Sequence, residues 1–176
     1  VWVSDRAFET MQNRKTPIKA FYANLLLIKD YYENQWFPYT MPASDIMGLR
    51  VAIDNYLKDA GFQKRHERLA KAVRNAVEKA GLKLYLESGF SNNVTVIEIP
   101  EGITEDEILS GLRDEFGILI SGCFDVLKGK VIRIGHMGEN ANKEDIAQTL
   151  AGLQKILESR GIKLACEMKD EFLLSC

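Results

Sequence analysis

The sequence predicts an α+β fold, a two-layer sandwich of a mainly antiparallel sheet with helices on one face, preceded by helices of a different domain. Three observations predict it. Residues 82–168 alternate short strand-like runs with amphipathic helical runs in the order β-β-α-β-β-α-β. The first two runs are joined by a short polar loop, Ser88 to Asn93, which suits a hairpin and not a parallel crossover. Residues 44–80 carry two successive helical patterns with no strand between them, so they stand outside that unit.

Taken in order, Val1 to Ser4 reads as a strand end, and Ser4-Asp5 as the cap of a short helix through about Met11. Ile18 to Asn34 sets Phe21, Leu25, Ile28 and Tyr32 at helical spacing and predicts a helix. Gln35 to Pro42 carries two prolines and is irregular. Ser44 caps a helix whose apolar face is Ile46, Leu49, Ile53 and Leu57, with Gly61 as its stop. The next helix places Leu69, Val73, Ala76 and Ala80 on one face and ends at Gly81. Its other faces carry Lys64, Arg65, Arg68, Lys71 and Arg74, interleaved with Glu67 and Glu78, which suits a solvated face better than a phosphate site.

Beyond Gly81, Leu82 to Glu87 and Val94 to Ile99 form the hairpin. Thr104 and Glu107 make a capping box before Ile108, Leu109, Leu112 and Phe116, and Gly117 stops that helix. Ile118 to Ser121 and Val131 to Met137 are strands around a loop. Asn142 caps a helix with Ile146, Leu150, Leu153 and Leu157 on its face, Gly161 ends it, and Ile162 to Met168 is a last strand. The boundary falls near Gly61, giving units of residues 1–61 and 62–176.

Composition narrows the function classes. A chain of 176 residues suits one domain, or one domain with a piece of another. The net charge of −2 offers nothing to nucleic acid or an anionic membrane. The longest apolar run, Leu25 to Ile28, is far short of the ~20 residues of a membrane span. The start at Val1 has neither initiator Met nor signal pattern and reads as a strand entered midway, as if cut from a longer protein. Aromatic and apolar positions ahead of the boundary, such as Trp2, Phe21, Leu25 and Trp36, are then expected to be exposed or covered by self-association. Cys123, Cys166 and Cys176 are widely spaced, with no paired metal-ligand pattern near His66 or His136. No metal site is expected, and free thiols suit the cytoplasm.

Two segments stand out chemically. Arg133 lies in Val131-Ile132-Arg133-Ile134-Gly135, where a guanidinium needs an anion to offset its desolvation. Alternation turns Ile132 and Ile134 inward and Arg133 toward a cleft, with Gly135 leaving space beside it. Arginine suits a bidentate grip on a carboxylate; an internal ion pair is the other option. Trp36-Phe37-Pro38-Tyr39-Thr40-Met41-Pro42 concentrates aromatics and prolines before a helix. It fits an interface, a cofactor rim or an ordinary packed loop, with the Thr40 hydroxyl able to meet a phosphate.

Ser4-Asp5-Arg6-Ala7-Phe8, Phe21-Tyr22-Ala23-Asn24, Tyr39-Thr40-Met41-Pro42, Leu49-Arg50, Arg65-His66 and Lys130-Val131-Ile132-Arg133-Ile134-Gly135-His136-Met137-Gly138 occur in an order that resembles the class V aminotransferases. The nearest likeness is to the alanine–glyoxylate and serine–pyruvate group. The resemblance implies a fold-type I pyridoxal-phosphate enzyme, with residues 1–61 as the remnant of its large domain and 62–176 as its C-terminal small domain. It implies that Arg133 grips the substrate α-carboxylate and that Thr40 reaches the cofactor phosphate of a neighbouring subunit in a homodimer. Phe37 stands where relatives often have a phosphate-touching Tyr, and a Phe cannot donate that bond. The family's Schiff-base lysine lies ahead of the position matching Val1; Lys15 and Lys19 follow the Ser-Asp-Arg block and do not match it. The resemblance therefore implies an enzyme moving an amino group from a small amino acid, such as alanine or serine, to a 2-oxo acid such as glyoxylate or pyruvate. This stretch alone is expected to be inactive. The alternative from another class is a non-catalytic α+β ligand-binding or regulatory module.

Overall fold

Ser4 opens helix α1, Asp5–Gln12, by accepting the Ala7 amide on its hydroxyl, while Val1 to Ser4 pairs with no strand. The computed structural model describes all 176 residues and divides into two units, Val1–Leu57 and Lys58–Cys176. The continuous helix expected over 18–34 does not form in the first unit. Asn24 takes extended backbone and its side chain accepts the Leu26 amide, so helical structure restarts there as one 3-10 turn, Leu25–Ile28. An Asn that bonds its own neighbours competes with the helical ladder in this way. Gln35, at φ 48°, ends the turns that follow. Helix α2, Ala43–Lys58, starts behind Pro42, and Ser44 lies inside its first turn and does not cap it. None of these three helical segments buries a residue; Trp2, Phe21 and Trp36 are exposed, and Leu25 is half-buried.

The second unit begins with a tight turn. Gly61 does not stop α2; it stands at the N-terminal cap of α3, Phe62–Lys79. Asp59 fixes this turn by gripping the Arg65 guanidinium with two bonds, 3.0 and 2.6 Å. Helix α3 buries Leu69, Ala72, Val73, Ala76 and Val77, the i, i+3, i+4, i+7, i+8 set of one face.

The sheet has two full strands, β1, Val94–Glu98, and β2, Val131–Gly135, antiparallel with Ile97 opposite Ile132 and Val96 opposite Arg133. Single antiparallel bridges extend it at each side, Leu84 to Ile97 and Ser121 to Arg133. The expected strands 82–87 and 118–121 are reduced to these bridges. Between them come α4, Glu105–Phe116, with both halves of the Thr104–Glu107 capping box made, and Gly117 in the left-handed region at φ 66°. Helix α5, Lys143–Ser159, starts on Asn142 and buries Ile146, Leu150, Leu153 and Leu157.

The last strand is replaced. Residues 162–168 keep the in-and-out burial of a strand, but no ladder neighbour is available; Ala165 gives one backbone bond to Ala80. Met168 instead begins α6, Met168–Ser175, its amide donated to the Gln154 side chain of α5. Phe172 and Met168 then lock α6 into the core with Leu112, Ile132, Ile134 and Leu150.

Candidate functional site

The strand β2 sends Ile132 and Ile134 into the core, together with Ile97 from β1. Arg133 is turned to the opposite face and stays half-buried, while Gly135 beyond it is exposed. Val131, on the same face, is buried as well, so the open side begins at Arg133. The space beside Gly135 is partly taken: a Cβ there would stand 3.3 Å from the Met137 methyl.

The surroundings of Arg133 come from the segment that follows Ser121. Ser121 and Arg133 exchange both backbone bonds, at 2.7 and 3.2 Å. One residue on, the Gly122 carbonyl accepts the Arg133 Nε–H at 2.7 Å. The Phe124 ring lies 5.4 Å from the guanidinium carbon, a contact of roughly 0.5–1 kcal/mol at exposed sites. No carboxylate forms an ion pair with Arg133; the five ion pairs of this unit use Arg65, Lys79, Lys83, Arg113 and Arg160. The internal ion pair held open by the sequence is therefore not made. A guanidinium fixed through Nε, with its two terminal nitrogens uncommitted, is arranged to take a planar anion in two parallel hydrogen bonds.

Thr40 belongs to the other unit. It is exposed just ahead of α2, and its hydroxyl has no partner within the chain. Phe37 is half-buried and packs edge-on to Tyr31 and Tyr39. Tyr39 folds back, its hydroxyl donating to the Phe21 and Tyr22 carbonyls at 3.0 and 3.3 Å. Much of the aromatic content of 36–42 is thus spent on an internal ring cluster.

Both histidines are structural. His136 is buried, its Nδ1–H given to the Asn92 carbonyl and its Nε2 accepting the Thr95 hydroxyl, and burial pushes its pKa below the ordinary value. His66 donates from Nδ1 to the Phe62 carbonyl and accepts the Gly138 amide on Nε2, tying α3 to the turn after β2. Burial raises the thiol pKa of Cys166 and Cys176, the opposite of what a nucleophilic cysteine needs. No group of three or more His, Cys, Asp or Glu side chains could hold a metal, and no helix is long and apolar enough to cross a membrane.

Sequence reasoning singled out Arg133 and did not foresee its two neighbours, Gly122 and Phe124. The available signal was a Phe placed in a polar loop one bridge away from the arginine strand.

No family model matches the chain. It is 36% identical over 182 residues to an uncharacterised aminotransferase of Methanocaldococcus jannaschii, a match covering 99% of this chain and 46% of that one. It is 34% identical to the pyridoxamine–pyruvate transaminase of Mesorhizobium japonicum, covering 93% of this chain and 43% of that one. Among solved structures, the ureidoglycine–glyoxylate aminotransferase of Bacillus subtilis superposes with a TM-score of 0.87 at 28% identity, over 97% of this chain and 45% of that one. The chain spans less than half the length of these relatives.

Proposed function

Since the chain belongs to the class V aminotransferase family and corresponds to its C-terminal portion, we propose that it serves an enzyme moving an amino group from a small amino acid, such as alanine or serine, to a 2-oxo acid. In this reading Arg133 binds the carboxylate. The observation that carries it is the half-buried guanidinium tethered at Nε by Gly122, with no acidic partner of its own. The two relatives with stated substrates differ in amino donor, and each name pairs that donor with a 2-oxo acid, pyruvate or glyoxylate. The carboxylate common to both is the one beside the keto group, which makes the 2-oxo acid the natural ligand for Arg133.

Pyridoxal phosphate, when bound, supplies the electron sink that amino transfer needs. The residues present fit a share of its site. Thr40 offers an exposed, unpartnered hydroxyl to a phosphate, and in a homodimer it serves the cofactor of the other subunit. Phe37 presents only a ring edge inside its aromatic cluster and contributes no bond there. Lys15 and Lys19 are exposed and do not match the family's cofactor lysine, so residues 1–176 alone are expected to lack activity. What Arg133 does is orient: a carboxylate held by two bonds fixes the reacting carbon, and that positioning lowers the entropy cost of the chemical step. Three unpaired cysteines fit a cytoplasmic enzyme.

The test is Arg133→Ala in the full-length enzyme, assayed with pyruvate and glyoxylate. Losing a charged hydrogen-bonding partner should lower kcat/KM for the 2-oxo acid by roughly a hundredfold, with Arg133→Lys recovering part of it. Unchanged kinetics would remove Arg133 from the site. Absence of any amino transfer by the full-length protein would remove the whole reading.

A further inference from the structure

The direction of the Arg133 guanidinium is set by one loop, residues 122–130, which supplies both the Gly122 carbonyl and the Phe124 ring. The loop holds itself by short local bonds, Leu127 to Phe124, Lys128 to Asp125 and Lys130 to Leu127. It contains a non-glycine residue in the left-handed region, Asp125 at φ 49°, and Gly129 at φ 74°. Such a backbone persists where its surroundings hold it.

Besides Arg133, one outside side chain hydrogen-bonds to this loop. Glu105, in the first turn of α4, accepts the Gly129 amide on one carboxylate oxygen. Its other oxygen lies against Gly122 so closely that a Cβ on Gly122 would overlap it. One carboxylate therefore meets both ends of the loop, Gly122 and Gly129. Glu105 is itself placed by the Thr104–Glu107 capping box, which fixes the start of α4. Glu105 forms no ion pair with Arg133, so it acts on the arginine through the loop backbone alone.

We propose that Glu105 is a positioning residue for Arg133, a clasp that holds the Gly122 carbonyl and the Phe124 ring where they aim the guanidinium at the substrate carboxylate. The functional half of this proposal rests on the reading of Arg133 as the carboxylate-binding group. The geometric half stands on the clasp itself.

Two readouts separate these halves. The first is hydrogen exchange at the Arg133 Nε–H, followed by NMR on 15N-arginine-labelled protein. Glu105→Ala should speed it roughly tenfold, and Gly122→Ala, which pushes the carboxylate out, should do the same. Glu105→Gln keeps an acceptor for the Gly129 amide and should stay near wild type. Asp106→Asn removes a neighbouring charge from the same helical turn without touching the loop, and should change nothing. The second readout is kinetics of the full-length enzyme: Glu105→Ala and Gly122→Ala should lower kcat/KM for the 2-oxo acid roughly tenfold, with kcat falling as well as KM rising, and Glu105→Gln should restore it. Unaltered Nε–H exchange in Glu105→Ala overturns the clasp, as does an equal effect from Asp106→Asn, which would reduce Glu105 to a helix-end charge. If the full-length enzyme transfers no amino group, the functional reading fails, and the exchange experiment still decides the clasp.

Discussion

Helices α2 and α3 follow one another in the chain, with 16 and 18 residues, and each carries an apolar stripe at helical spacing. Their fates are opposite. Leu69, Val73, Ala76 and Ala80 along α3 are all at most 1% exposed, whereas Ile46, Leu49, Ile53 and Leu57 on α2 range from 47% to 71%. The stripe on α3 is covered by α6 and β1 within its own unit. The stripe on α2 has no covering element in its unit. Periodicity states which face of a helix needs covering, and says nothing about what covers it. That distinction also separates the two residues singled out in the sequence: Arg133 sits on a strand backed by a full core, Thr40 on a segment that has none.

The largest effect follows directly. Leu112 is fully buried at the centre of the second unit, against Gly152 of α5. Leu112→Ala should cost about 3 kcal/mol, within the usual 2–5 for a core leucine. Ile53→Ala on α2 should change stability by less than about 0.5 kcal/mol, because it removes exposed surface and improves helix propensity. Urea unfolding of the two variants measures both. An Ile53→Ala cost matching that of Leu112→Ala would mean that the α2 face is covered after all, and the contrast between the helices would be lost.

Acidification probes the second unit through a different group. Burial holds the His136 pKa below its ordinary value of 6.5, so the unfolded chain takes up its proton first as pH falls. The unfolded state then binds more protons, and stability must drop as pH goes from about 6.5 down to the folded pKa, by at most about 1.4 kcal/mol per pH unit. Asp59, Glu107 and Asp114 also have lowered values, but they start from 3.8 to 4.5 and act at lower pH. Between pH 6.5 and 5 the slope should therefore belong largely to His136. In His136→Gln the urea midpoint should start lower and vary less across that window; an equally steep slope would assign it elsewhere.

The parts of the fold readable in the sequence are those fixed by local chemistry. The Thr104–Glu107 box, the Asn142 cap, Gly117 at positive φ, and the inward Ile132 and Ile134 follow from neighbours in sequence. The parts that were not readable depend on distant partners. Helix α6 begins on a Gln154 side chain fourteen residues away and is anchored by only Met168 and Phe172, too few for a visible period. Residues 162–168 alternate as a strand would, yet a strand also needs a neighbour, which alternation cannot supply. At the site, Arg133 was conspicuous as a lone charge in an apolar run. Its hold on the Gly122 carbonyl was hidden because the two are brought together by sheet pairing.

Capping offers a smaller comparison of the same kind. Thr104 receives the Glu107 amide, and its own hydroxyl and amide are bonded to the Glu107 carboxylate, which these bonds hold below its usual pKa. Thr104→Ala should cost about 1 kcal/mol and let the Glu107 pKa rise toward normal, both measurable by denaturation and carbon-13 NMR titration. Ser4 makes an equivalent bond to Ala7 at the start of α1, a helix that buries nothing. Ser4→Ala should fray α1 and leave the main unfolding transition where it was. A shift of that transition would show that α1 contributes to a core.

The smallest effect concerns the aromatic cluster of the first unit. Tyr39 stacks on Tyr22 at 5.0 Å, meets Phe21 and Phe37 edge-on, and donates its hydroxyl to the Phe21 and Tyr22 carbonyls. The Phe21 carbonyl also accepts the Asn24 amide, which sets up the 3-10 turn at Leu25. Tyr39→Phe keeps the ring and deletes only the hydroxyl. Its exposed bonds are worth at most about 1 kcal/mol, so the unfolding midpoint of the second unit should not move. Loss of the tether should instead appear locally, as faster exchange of the Asn24 and Leu27 amides, by a few-fold. Unchanged exchange there would mean that ring stacking alone shapes the turn. Faster exchange confined to that turn would mark the hydroxyl as what orders the segment leading to Thr40.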